Sequence, residues 1–459
     1  MRSQVLVADI GSTITKLSAF EGMDHTEASL RSGNVRFLGQ GTALTTVAEG
    51  DVRIGLDAAR RDLEKSHGVD TSKALLMASS SAAGGLRMTV HGLTQDMTLR
   101  AAREASLGAG AIVTFTTAGL MTRDDMDEIR RIRPNIILLA GGVDYGDRRV
   151  VVENAKAMAF LEQAVPVIYA GNRTARGEVG RILEGAGMPL FVVDNVYPRI
   201  DELNIDPVRK VIQEVFARHI ITAPGMEKVK EEVHGPIVPT PGAVMAATEL
   251  LARVMEDVMT VDVGGATTDV HSVTEGSPEY ILKSVAPEPR SKRTVEGDLG
   301  VYVNASHIVS AAGDALGHVK EVMPLPDTEE ARQVSVKLAR WAVDLSIWRH
   351  AGEVRVAYGA QGPSELVEGR DLTAIKTVIG TGGALTRLGM GDTLLKNIRI
   401  DPRARKLLPP SDADVLLDRD YIMAAAGVLA RRFPKAAERL LLESLGVAGR
   451  SSGGVHPDG

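Results

Sequence analysis

The chain has 459 residues, and its 53 Lys and Arg against 59 Asp and Glu leave a net charge of -6. That length exceeds what one hydrophobic core accommodates, so two or three domains are expected, and a hydrophobic content of 44% excludes a wholly disordered chain. The acidic balance argues against a nucleic-acid binder, 3% aromatic residues argue against base-stacking platforms, and the absence of cysteine excludes disulfides, thiolate nucleophiles, cysteine zinc sites and cysteine-held iron–sulfur clusters.

The first apolar stretch, Val5 to Ile10, carries Asp9 and is too short for a signal-peptide core. No run approaches the ~20 apolar residues of a membrane span, so a cytoplasmic protein without a membrane or nucleic-acid partner is expected. Strand Val5–Asp9, the turn residues Gly11 and Ser12, and the stretch Thr15–Phe20 read as a hairpin. A strand at 74–79 leads into the small-residue run Ser79 to Gly85, followed by a helix over 95–107. From about 109 to 197 candidate strands (111–115, 136–140, 165–170, 190–193) alternate with helices (123–132, 149–163, 174–186). Such alternation implies a parallel sheet with right-handed crossovers, read here as an inserted α/β subdomain. Residues 198–256 read as mainly helical, and a second hairpin follows over 259–273 around Gly264 and Gly265. A helix over 329–351 carries a stripe of Val334, Leu338, Trp341, Leu345 and Trp348 that reads as core packing. A strand at 377–379 runs into Gly380-Thr381-Gly382-Gly383, and the Gly- and Ser-rich tail reads as disordered.

The two hairpins are related. Asp9 to Leu17 aligns without gaps on Asp262 to Val270 at a constant offset of 253 residues, which suggests two like domains facing each other. In each, a strand ends in Asp and the chain then turns through Gly and small hydroxyl residues. Glycine lets backbone N–H groups approach an anion closely, and Ser or Thr adds hydroxyl donors. A carboxylate repels phosphate but can hold hydrated Mg2+, so Asp9 and Asp262 read as a pair around a metal–phosphate group. Lys16 is a nearby cation, and Asp269 is placed to orient an attacking water. One such turn is equally well a capped hairpin, but three glycine turns in this order point to a nucleotide.

At these residues the chain resembles the actin, Hsp70 and sugar kinase ATPase superfamily. Asp9 to Lys16 is similar to its first phosphate motif, Asp262 to Asp269 to its second, and Val378 to Ala384 to its adenosine motif. Pro241–Leu251 and Tyr421–Ala430 resemble its two connecting helices. Within the superfamily the chain resembles the accessory protein of cobalamin-dependent glutamate mutase, a family called MutL that is unrelated to the mismatch-repair MutL. Val5–Lys16, Ala78 to Leu86, Leu139 to Asp144, and Arg293 to Gly300 carry that resemblance, which extends to about residue 445.

The resemblance implies an α/β fold of two facing ribonuclease H-like (actin-like ATPase) domains with an inserted α/β subdomain. ATPase domain I would span 1–256 with the insert at about 109–197, domain II 257–418, C-terminal helices 419–446 returning to domain I, and a disordered tail 447–459. It further implies ATP and Mg2+ as cofactors. Asp9 and Asp262 would serve the metal, with Asp9, Asp262, Asp269 and Lys16 as the catalytic set. Gly11, Ser12, Thr13, Thr15, Gly264, Gly265, Ala266, Thr267, Thr268, Gly297, Gly380, Thr381, Gly382 and Gly383 would bind nucleotide. The implied partner is a cobalamin-dependent mutase that the protein reactivates or protects as a slow, chaperone-like ATPase. The alternative is a small-molecule kinase of the same fold, which needs a general base that no Asp or Glu is compelled to supply. Where Hsp70-like members have a Glu before the Pro-Thr of the first connecting helix, this chain has Val238, which implies slow hydrolysis and makes Val238→Glu an accelerating change if the position faces the water. Arg290, Lys292 and Arg293 read as a solvated face more readily than as phosphate ligands, and the loop from Gly141 to Gly146 as a second docking site or a plain strand-to-helix turn.

Overall fold

The structure, a computed structural model, describes residues 3–23, 35–82, 86–109, 111–161, 164–200, 202–219, 223–316, 319, 322–359, 362–398, 401 and 405–448. Ala83 to Gly85 of the small-residue run and the tail from 449 onward lie outside them. The chain is a mixed α/β protein with several sheets, divided into two compact units.

The first unit comprises Met1–Ala82, Ala223–Ser284 and Arg293–Gly459 and contains two five-stranded sheets. In the first, Arg36–Leu44, Ile14–Glu21, Val5–Ile10, Leu75–Ser80 and Val238–Pro239 lie side by side in that order. In the second the order is Ser291–Glu296, Thr268–Val273, Val258–Val263, Thr377–Thr381 and Asp414–Leu417. Each central strand pairs antiparallel with its hairpin mate and parallel with the strand on its other side. Central strands buried on both faces need near-continuous apolar runs, which Val5-Leu6-Val7-Ala8 supplies and Val258-Met259-Thr260-Val261 supplies with the Thr260 hydroxyl bonded to Thr248.

The repeat seen in sequence extends to individual hydrogen bonds. Gly11 N donates to Ile14 O at 3.1 Å, and Gly264 N, 253 residues on, donates to Thr267 O at 3.0 Å. The same offset makes Lys16, opposite Asp9, the counterpart of Asp269, opposite Asp262.

Two helices cross closely in this unit, Thr240–Met255 and Met423–Ala430. A Cβ on Gly427 would stand 1.8 Å from Ala243 O, so the crossing requires glycine there. This explains the Ala- and Gly-rich composition of both segments. Helix Val52–His67, which hydrophobic periodicity did not reveal, is bounded by an Asp51 side chain that accepts from Arg53 N and by Gly68 at φ 62.

The helix Glu329–His350 forms as expected, but its buried face is Ser335, Leu338, Ala339, Ala342, Val343, Ser346, Ile347 and His350. Val334, Trp341 and Leu345 of the expected stripe are only partly buried against that core, because small residues let the helix lie close.

The second unit comprises Ala83–Thr222 and Val285–Lys292. Its all-parallel sheet runs in the order Ile112–Ala118, Arg87–Gly92, Ile136–Leu139, Val167–Tyr169 and Leu190–Val192. The unit is wider than the insert expected at about 109–197, because Arg87–Gly92, absent from the expected strands, pairs with two neighbours inside this sheet. Segment 285–292 is held to the unit by charges: Lys292 Nζ lies 2.8 Å from Glu288 and 3.3 Å from Glu104, and Arg100 pairs with Glu288. Lys292 is therefore buried and only Arg290 of the expected solvated face is exposed. The loop after Ile136–Leu139 is tied to the loops that follow the two next strands. Asp144 accepts from Arg173 N and Asn195, and Tyr145 N donates to Asn172, as in a plain strand-to-helix turn.

Two buried histidines make the fold acid-sensitive. His91 lies between Thr117 at 2.8 Å and Thr89 at 2.9 Å, and burial pushes its pKa down to about 3. His271, also fully buried, is held well below its usual value by burial and then by the Arg293 charge. Both stay neutral in the folded chain while the unfolded chain takes up protons below about pH 6.5, so stability is present above that pH and lost as pH falls. Each group is worth about 1.4 kcal/mol per pH unit in that window. Urea denaturation at pH 7.5, 6 and 5 is expected to show this decline, and His91→Gln to flatten it by one proton. A midpoint independent of pH over this range would contradict the assignment.

Candidate functional site

Within the first unit the two glycine turns and the Gly380 loop line one cleft of about 470 Å³. That volume lies in the usual range for small-molecule sites. Asp9, Lys16, Asp262 and Asp269 all face it, together with Gly11, Ser12, Thr13, Gly264, Gly265, Ala266, Thr267, Thr381 and Gly383. Its lining also includes the apolar stretch Met323 to Pro326, Leu388 and the cations Arg332 and Arg387.

Five of the expected nucleotide residues are not in the cleft wall. Thr15 is fully buried and hydrogen-bonds Thr45 at 2.9 Å, and Thr268 donates to Leu299 O at 2.6 Å. The Gly297 carbonyl accepts from Asn304 at 2.8 Å, and Gly380 lies within a strand. Gly382, at φ 87, supports the wall from behind, because a Cβ there would come within 2.6 Å of Asp262 Oδ1. None of these five lines the cleft.

The two equivalent carboxylates differ in their surroundings. Asp9 has three donors: Ser79 and Thr240 donate to Oδ1 at 2.9 and 2.6 Å, and Lys16 Nζ lies 2.9 Å from Oδ2. The Asp262 carboxylate makes no hydrogen bond or ion pair among the described residues. Its strand partner is Asp269, whose charge is neutralised by Arg293, with Nε at 3.0 Å and Nη2 at 2.6 Å from one oxygen. Burial, and next the Asp269 charge, push the Asp262 carboxyl up to about 7. Arg293, read from sequence as surface, is 1% exposed and braces the second turn.

The donor set fits a hydrated divalent cation beside an anion. No group of three or more His, Asp or Glu converges among the described residues. Mg2+ does not need one, since it is held by one or two carboxylates plus waters and phosphate. Asp262 offers an unpartnered carboxylate, and Asp9 can act through water beyond its own three donors. The buried Thr13 hydroxyl has no hydrogen-bond partner among the described residues and lies in the same wall, which suits an oxyanion acceptor.

Val238 does not face the cleft. It pairs with Ser79 at the sheet edge and packs in an apolar cluster with Val244 and Met77. Val238→Glu would therefore bury a charge in the core rather than aim a base at water, and no acceleration of hydrolysis is expected from it. Sequence reasoning also missed Ser79, Thr240 and Asp418. Thr240 follows the Pro239 that resembles the family's connecting-helix start. Asp418 lies in no recognisable motif.

The fold and the site together define an α/β protein with two like-ordered sheets and a carboxylate-lined cleft formed by their glycine turns. A family model described as MutL protein matches residues 5–445. The chain is 34% identical to Protein MutL of Clostridium tetanomorphum over 96% of its own length and 98% of that protein's. It belongs to the MutL family, which is distinct from mismatch-repair MutL. Among solved structures it is similar to a nucleotide-free acetone carboxylase at 14% identity, covering 93% of this chain and 70% of that one with a TM-score of 0.39. It is similar at 12% identity to xylulose kinase from Bifidobacterium adolescentis, covering 96% and 93% with a TM-score of 0.28. No helix among the described residues is long and apolar enough to cross a membrane.

Proposed function

We propose that this chain is a cytoplasmic, Mg2+-dependent ATPase of two actin-like domains that reactivates or protects a cobalamin-dependent mutase such as glutamate mutase. The observation that carries the nucleotide reading is the convergence of two superposable Asp-Gly turns and the Gly380 loop on one cleft. Asp262, and Asp9 through water, would hold Mg2+, whose contribution is to neutralise phosphate charge. Backbone N–H groups of Ser12, Thr13 and Gly265–Thr267 would receive the phosphates, since those of Gly11 and Gly264 close their own turns, and Lys16 would add a point charge. Asp269, held by Arg293 and Thr267, would orient the water. The partner rests on the resemblance of the Val5, Ala78, Leu139 and Arg293 segments to the glutamate mutase accessory protein.

The kinase alternative has less support. Among the described residues the cleft wall contains no carboxylate beyond Asp9, Asp262 and Asp269, and two of these already have cationic partners. A switch needs only slow hydrolysis, because its output is a difference in shape between nucleotide states. Phosphate release measured alone, with a panel of sugars and carboxylates, and with an inactivated cobalamin mutase distinguishes the readings. The expected result is turnover far below the ~1–100 per second of kinases, stimulated only by the mutase. Phosphate appearing on a small metabolite would make the protein a kinase.

A further inference from the structure

We propose that Tyr421 is a positioning residue for Lys16: its ring holds the ammonium at the Asp-Gly turns of the cleft, and the Asp418 turn holds the ring. The inference rests on the nucleotide reading above and deepens it.

Lys16 Nζ stands 3.5 Å from the centroid of the Tyr421 ring, with Asp9 Oδ2 at 2.9 Å. A lysine side chain is flexible, and fixing it before the ligand arrives removes an ordering cost from binding. Tyr421 comes from the segment after the last strand of the second sheet, remote in sequence from the Asp9 hairpin. Its backbone adopts φ 56, a left-handed conformation that is costly for an aromatic residue and persists only where the surroundings impose it.

The imposing group is Asp418, which is fully buried. Its carboxylate accepts from Ile422 N at 3.0 Å, Met423 N at 2.8 Å and Thr381 Oγ1 at 2.9 Å, and its carbonyl accepts from Tyr421 N at 2.9 Å. Gln40 Nε2 donates to the Tyr421 carbonyl at 3.2 Å. The strained turn thus ties the Gly380 loop, through Thr381, to the cation of the first turn. Ile422 and Met423 belong to the apolar core, whereas Tyr421 lies in the cleft wall and its ring carries the cation.

The test is calorimetric titration of Mg2+·ATP and of adenosine into wild-type protein, Tyr421→Phe and Tyr421→Leu. Leucine carries the same backbone strain but no π face. Tyr421→Phe is expected to match wild type, and Tyr421→Leu to lose roughly two- to thirtyfold in ATP affinity with adenosine affinity unchanged. A merely structural role would lower both ligands together. Because Tyr421→Leu can fail to fold, phenylalanine analogues of increasing fluorination at position 421 provide a shape-preserving series, along which ATP affinity should fall stepwise. Equal losses for ATP and adenosine, or a flat fluorination series, would overturn the proposal while leaving the nucleotide reading intact. Absence of ATP binding by the wild-type protein would overturn both.

Discussion

Arg293→Ala is expected to destabilise the first unit by about 3–5 kcal/mol, because it leaves Asp269 as a buried charge without its cation. Asp269 is 4% exposed, and its remaining donor is Thr267 at 3.1 Å. A loss of that size is a large part of the 5–15 kcal/mol typical of a whole domain. Removing both charges is a different matter. Replacing a buried pair by apolar residues of similar volume is often close to neutral, so Arg293→Met with Asp269→Leu should recover most of the stability while abolishing turnover. Urea denaturation of the two variants checks this. A single variant as stable as wild type, or a double variant no better than the single, would show that the pair is not what holds the second turn.

Asp262→Asn is expected to do the reverse, stabilising the empty protein and disabling the site. Among the described residues the Asp262 carboxylate has no hydrogen bond or ion pair to lose, and its charge is opposed by burial and by Asp269 across the strand pair. Neutralising it relieves that opposition, so the thermal midpoint should rise. Metal-dependent charge stabilisation is worth several kcal/mol, so Mg2+-dependent turnover should fall by roughly 100-fold or more. Functional groups commonly carry such a cost in stability. Asp9→Asn offers the contrast, since it breaks the pair with Lys16 and weakens the bonds from Ser79 and Thr240, and it should lower the midpoint. Differential scanning calorimetry and steady-state phosphate release on both variants provide the comparison. An Asp262→Asn variant with wild-type turnover would remove Asp262 from the metal site.

The hairpins were legible because their chemistry is local. Asp, Gly and hydroxyl residues follow one another within eight positions, and the 253-residue offset could be read by eye. The sheet order around them was not legible, since Arg36–Leu44 contains two glycines and a glutamine and has no clear apolar alternation. Partnerships across sequence were hidden for the same reason. Nothing near Arg293 announces that it grips Asp269, and nothing near Asp418 announces that it receives Thr381. The direction of the Val238 side chain was not legible, because alignment fixes a position along a strand but not which face the side chain takes. The same holds for Thr15 and Thr268. They alternate with cleft-facing neighbours, so their hydroxyls serve the strands' own packing.

Titration of ATP with and without Mg2+ shows directly whether the cleft takes a magnesium nucleotide. Saturable binding to wild-type protein that weakens when Mg2+ is withheld is expected, with thermal stabilisation equivalent to about 2.7 kcal/mol at ligand 100-fold above its dissociation constant. No heat and no thermal shift with any purine nucleotide in the presence of Mg2+ would contradict it.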